Sequence, residues 1–161
     1  MSATPAAPQQ FVVTREVRAS AERVFEALNA PDSMKVWAMG CRSAAWEHPP
    51  GAAGPDEGSV RIFGIGDSQV RERIVHWQAH RQLNYRIEPP SSLEKVATNY
   101  EGVTAVTPTG PSTCRLTWAV HYETSGLQTV VAPVVRAGMR ALIGEMARRL
   151  ARFAEQQAQP A

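Results

Sequence analysis

Hydrophobic and polar positions alternate with period two through the middle of the chain and recur every three or four residues near both ends. FVVTREVR (11–18) is loosely alternating and rich in β-branched residues, which predicts a first strand. Val24, Phe25 and Leu28 then recur at helical spacing in AERVFEALN (21–29). Ser20 stands at its N-cap, with Arg23 where a capping box would have Glu. PDSMKVW (31–37) follows as a second short helix opened by Pro31. From Cys41 to Tyr122 the pattern is strand-like, in CRSAAWE, SVRIFG, QVRERIVHW, QLNYRIE, KVATNYEGVTAVT and TCRLTWAVHYE. The breaks between these runs carry turn chemistry: HPPGAAGPDEG, GIGDS, Pro89-Pro90 and PTGPS. A long amphipathic helix over 130–157 closes the chain, with Val131, Val135, Met139, Leu142, Met146, Leu150 and Phe153 as its inward stripe and Pro133 in its first turn.

One strand, two short helices, six antiparallel strands and a terminal helix form a single curved sheet of seven strands with one concave face to cover. At 1.5 Å per residue the last helix is roughly 40 Å long. It crosses the concavity without filling it, so a hollow is expected beneath it. Residues 1–10, with Pro5 and Pro8 and no apolar period, read as a flexible tail, 11–157 as the domain and 158–161 as a second tail.

Strand alternation assigns the lining of that hollow. Cys114, Leu116, Trp118, Val120 and Tyr122 share the inward face of their strand, and Leu83 and Tyr85 share that of theirs. A symmetric PTGPS turn pairs Val106 with Cys114 and sets Gly102 opposite Trp118, with Thr98, Tyr100 and Thr104 inside. In QVRERIVHW two arginines are cheaper in solvent than buried, so Glu72 faces inward with His76 in phase. A turn centred between Gly66 and Asp67 sets Arg61 opposite Glu72 and Phe63 opposite Val70. A one-residue slip, which would turn Val60 and Ile62 inward instead, is the competing register.

Length and composition keep this reading to one folded domain: 161 residues, 43% hydrophobic and 20% charged. The 15 arginines and 2 lysines are scattered and the formal charge is only +2, which argues against nucleic acid as a partner. No segment approaches the ~20 consecutive apolar residues that span a bilayer, so no stable membrane insertion and a cytoplasmic location are expected. Cys41 and Cys114 are far apart, and no metal-ligand spacing or phosphate-binding glycine loop is present, so neither metal nor other cofactor is expected. Oligomeric state stays open, a homodimer included.

The order of elements, with the phrases ASAERVFEALNAPDSMKVW, GSVRIFG, VRERIVHW, LNYRIE and CRLTWAVHYE, resembles the START-like, helix-grip (SRPBCC) superfamily over residues 11–157. Within it the resemblance is to the polyketide cyclase/dehydratase and lipid-transport family. It implies an α+β helix-grip fold and a hydrophobic small-molecule partner, polyketide-like or lipid, with no bound metal or nucleotide. Two functions fit. In a cyclase/dehydratase acting by general acid/base chemistry, Glu72 or His76 would be the base, and Arg61, Tyr85 and Tyr100 would hold the developing enolate oxygen. In a non-catalytic carrier or sensor the same cavity would only bind. Trp37, Phe63, Tyr100, Trp118, Tyr122 and Met139 are the expected ligand contacts in either case.

Overall fold

The computed structural model describes residues 7–159. Strand β1 (Ala7–Val17) leads into helices α1 (Ala21–Asn29) and α2 (Pro31–Trp37). Strands β2 (Cys41–Glu47), β3 (Val60–Ile65), β4 (Ser68–Gln78) and β5 (Gln82–Ile87) follow. A short 3-10 turn (Ser92–Lys95), strands β6 (Thr98–Gly110) and β7 (Thr113–Thr124), and helix α3 (Leu127–Ala158) complete the order. The seven strands form one antiparallel sheet in the order β1-β7-β6-β5-β4-β3-β2. This is the helix-grip α+β fold, with α3 laid along the concave face.

Local chemistry sets the element boundaries. The Ser20 hydroxyl accepts from the Arg23 amide at 3.3 Å, capping α1. Pro31 opens α2, where a missing N–H costs nothing. β3 and β4 join through a two-residue turn in which Gly66 has φ +60°, a conformation costly for any other residue type at that position. That turn locks the register: Arg61 pairs with Glu72 and Phe63 with Val70. The competing slip is not what forms.

Four expectations are corrected. β1 starts at Ala7, so residues 7–10, read as tail, pair with 121–124; residues 1–6, 160 and 161 lie outside the described residues. α3 starts at Leu127, and Pro133 therefore lies past its first turn. The β6–β7 pairing is offset by two residues through an irregularity between Pro108 and Gly110. Val106 thus faces Leu116 and Gly102 faces Val120, while an even offset preserves each residue's face. Thr98 is exposed, because a second irregularity separates it from Glu101.

The core is the concave face itself: Phe11, Leu83, Tyr85, Leu116, Trp118 and Val120, packed under α1, α2 and the C-terminal half of α3. Small side chains, Ala147, Ala151 and Ala154, let that half approach closely beside Ile143 and Leu150. The N-terminal half spans the concavity instead, and Val130 and Val134 are each 77% exposed. Val131 and Leu142, expected to point inward, are 43% and 44% exposed, Leu142 at the rim of the hollow.

Candidate functional site

The C-terminus of α1 builds one end of the site. The last carbonyls of any helix lack intrahelical donors and must find partners elsewhere. Here three inward side chains supply them. Trp37 Nε1 donates to Ala27 O (3.1 Å), Arg61 Nη1 to Leu28 O (3.2 Å) and Trp46 Nε1 to Asn29 O (2.8 Å). Asn29 is held by its own amide, which donates to Phe25 O (2.9 Å), while its Oδ1 accepts from Arg61 Nη1 (3.2 Å). A cation at the negative end of a helix is favourable, and here it is fully buried.

Arg61 turns its other donors onto Glu72. Nε and Nη2 both donate to Glu72 Oε2, at 2.9 and 2.6 Å. Its guanidinium carbon lies 5.2 Å from the Phe63 ring centre, 5.5 Å from that of Tyr85 and 5.8 Å from that of Trp37, an aromatic box around the cation. All three guanidinium nitrogens of Arg61 donate to protein acceptors, and its side chain does not line the cavity.

Above this pair lies a hollow of about 290 Å³ roofed by α3. Trp37, Phe63, Glu72, Tyr85, Tyr100 and Trp118 form its floor and walls, with Met139, Ile143 and Met146 from α3 opposite. Met39, Ile65, Ser92, Leu93 and Leu142 also line it, and the partial exposure of Ile65 and Leu142 places these two towards solvent. The 3-10 turn is tied to the start of α3 by Gln128 Nε2 donating to Glu94 O (2.9 Å). Among the described lining residues Glu72 carries the single ionisable carboxylate, and there is no cation. No hydrogen bond reaches Glu72 Oε1 among the described residues. That oxygen is also not one of the sealed orphan atoms, which are Thr104 Oγ1 and Tyr122 Oη. The 11% of the Glu72 side chain that stays open therefore faces the hollow.

Electrostatics follow from this enclosure. Burial pushes the Glu72 carboxyl above its ordinary range, and Arg61 opposes the rise without cancelling it. Tyr85 is pushed up by burial and then by the Glu72 charge, and Tyr100 by burial and then by Tyr85, so both phenols stay protonated as donors. The Tyr85 hydroxyl accepts from Trp118 Nε1 at 3.1 Å and interacts with that of Tyr100. Trp118 in turn meets Trp37 edge-on at 5.7 Å between ring centres. Gly102 pairs across from Tyr85 and makes room for it: a Cβ there would overlap Tyr85 Cζ, Cε1 and Oη, so the glycine accommodates the phenol and not the Trp118 indole.

Three expected site residues stand elsewhere. His76 is turned to the outer face by a bulge between Ile74 and His76. It pairs with Asn84 rather than an inward residue, and its half-exposed ring lies 3.4 Å from Glu57. Arg61 sits behind Glu72 and does not line the hollow. Tyr122 is buried without lining the hollow and borders instead a separate depression with Gln9, Gln10 and Asn99. The 3-10 turn and Asn29 escaped notice in the sequence, although Ser91-Ser92-Leu93-Glu94 spells a capping box, which forms. Among the described residues no three His, Cys, Asp or Glu side chains converge as a metal would require. No described helix is long and apolar enough to cross a membrane.

Residues 8–155 match the family described as polyketide cyclase/dehydrase and lipid transport, and the chain belongs to that family. It is 26% identical over 160 residues to an uncharacterised Mycobacterium tuberculosis protein, covering 96% of this chain and 90% of that one. A START superfamily protein from Mycobacterium smegmatis superposes with a TM-score of 0.71 at 16% identity, over 92% of this chain and 98% of that chain. A norcoclaurine synthase point mutant from Thalictrum flavum, in complex with a transition-state analogue, gives 0.70 at 15%, over 96% and 99%. At such identities the likeness is one of fold.

Proposed function

We propose that the protein takes a hydrophobic small molecule into the hollow beneath α3 and acts on it as a polyketide cyclase/dehydratase-like enzyme, with Glu72 as general base. One observation carries this reading: a single carboxylate oxygen, Glu72 Oε1, presented to a largely apolar cavity whose other polar groups are hydroxyls. Family membership supports the substrate class. A carboxylate raised above its ordinary range is a stronger base than one in water, and Arg61 holds it in place. Glu72 removes a proton next to a carbonyl, and the Tyr100 and Tyr85 hydroxyls stabilise the resulting enolate oxygen. The enolate carbon bonds to a second carbonyl carbon of the folded chain, whose oxygen takes from Glu72 the proton first removed and becomes a hydroxyl, leaving Glu72 a carboxylate again. Glu72 then takes the remaining proton on the carbon between them and returns it to the departing hydroxyl, so one water leaves. The walls supply the folded geometry.

A carrier or sensor is the second reading. It is favoured by the commitment of Arg61 and Tyr85 to protein partners, which leaves few groups free for chemistry. Incubation with a lipid-soluble extract followed by mass spectrometry separates the two. Products lighter by one water, formed by wild type and not by Glu72→Gln, support the enzyme. Recovery of unchanged ligand from both proteins supports the carrier, and equal conversion by both removes Glu72 from the mechanism.

A further inference from the structure

The same hollow, read as a binding site, also constrains the polar group of whatever fills it. Oε2 of Glu72 is occupied by Arg61, while Oε1 is free and faces the cavity. An acceptor facing a cavity lined mostly by apolar side chains, Trp37, Phe63 and Val70 among them, gains most from a donor brought in by the ligand. A ligand carboxylate finds no cation to pair with: Arg61 is fully buried with Nη1 bound to Leu28 O and Asn29 Oδ1 and Nε and Nη2 bound to Glu72, so only neutral hydroxyls such as those of Tyr85 and Tyr100 could donate to it. A ligand carboxylate would have to lie against the Glu72 charge in an apolar enclosure, where like charges repel strongly. A cationic ligand fares little better, since Arg61 and Glu72 already cancel and a buried net positive charge would result.

We infer that the cavity selects a neutral apolar molecule bearing a hydroxyl-type donor, an alcohol, phenol or enol, and rejects its carboxylate counterpart. Glu72 Oε1 is the specificity-determining atom. This rests on the cavity-binding reading above, and it extends that reading: the donor that meets Oε1 in a β-dicarbonyl chain is the enol hydroxyl, the proton a base at that position would carry.

Calorimetric titration of the full chain near neutral pH with naphthalene, 2-naphthol, 2-naphthoate and 2-(aminomethyl)naphthalene tests it on one ring system. The expected order puts 2-naphthol roughly tenfold or more tighter than naphthalene and than either charged ligand. Glu72→Gln leaves Arg61 with excess positive charge, so 2-naphthoate is expected to gain on 2-naphthol by about tenfold or more. The wild-type ranking stands without that variant should it fold poorly. Binding of naphthalene, 2-naphthol and 2-naphthoate within about threefold of one another overturns the ligand class while leaving the cavity reading intact. Failure of naphthalene and 2-naphthol alike to bind overturns the cavity reading on which it rests.

Discussion

Arg61→Met is the substitution whose consequence the structure specifies most fully. Methionine fills much of the arginine stem's volume but removes the two bonds to Glu72 Oε2 and those to Leu28 O and Asn29 Oδ1. Glu72 is then a buried carboxylate with no partner, and breaking a buried pair from one side costs about 3–5 kcal/mol. The loss has a pH signature. Arg61 is what lowers the Glu72 pKa against the effect of burial, so its removal raises that pKa further. A carboxyl whose folded-state pKa lies above its unfolded one binds more protons folded than unfolded. Stability therefore falls as pH rises through the window between the two values, by up to about 1.4 kcal/mol per pH unit. Urea unfolding of wild type, Arg61→Met and Arg61→Met/Glu72→Leu across the mildly acidic to neutral range measures this. The single variant should lose stability increasingly towards neutral pH, and the double variant should recover most of it and lose the extra slope. A loss below about 1 kcal/mol, with a profile parallel to wild type, would mean that solvent reaches the pair and that it is not enclosed.

Gly102→Ala should cost about 1–3 kcal/mol by overpacking against Tyr85, lowering Tm by about 2–4 °C per kcal/mol. Combining it with Tyr85→Ala should erase that increment, and simple additivity of the two losses would argue against the contact. Met139→Trp should occupy the hollow from the α3 side. Its stability should stay within about 1.5 kcal/mol of wild type while naphthalene binding weakens by roughly tenfold or more; undiminished binding would place the ligand elsewhere.

Much of this architecture is legible in the chain because its register rests on short-range chemistry. A glycine at positive φ in a two-residue turn suffices to bring Arg61 and Glu72 together, and strict alternation suffices to orient Leu83, Tyr85, Leu116 and Trp118. What is not legible depends on extra residues and on tertiary covering. Nothing in IVHW announces the bulge that turns His76 outward, since one inserted residue leaves composition unchanged while reversing every later face. The even offset in β6–β7 was harmless for the same reason: a shift of two preserves the face. In α3 the periodic large residues predict the packing stripe. Yet four of the six residues it buries are alanines, three of them towards its C-terminus, and Met139 borders the void. Arg61 shows a further limit. Alternation places a side chain on the inner face but does not reveal that the exposed carbonyls of α1 claim its guanidinium before a ligand could.

Glu72 Oε1 standing free in a largely apolar hollow is the feature on which both ligand choice and chemistry turn. Carbon-13 NMR of glutamate side-chain carboxyls, with the Glu72 signal identified by its loss in Glu72→Gln, reads that oxygen's surroundings directly. The expected result is a titration midpoint above that of the exposed glutamates, together with a shift of this resonance on addition of 2-naphthol. A midpoint in the ordinary glutamate range, unmoved by the ligand, would contradict it.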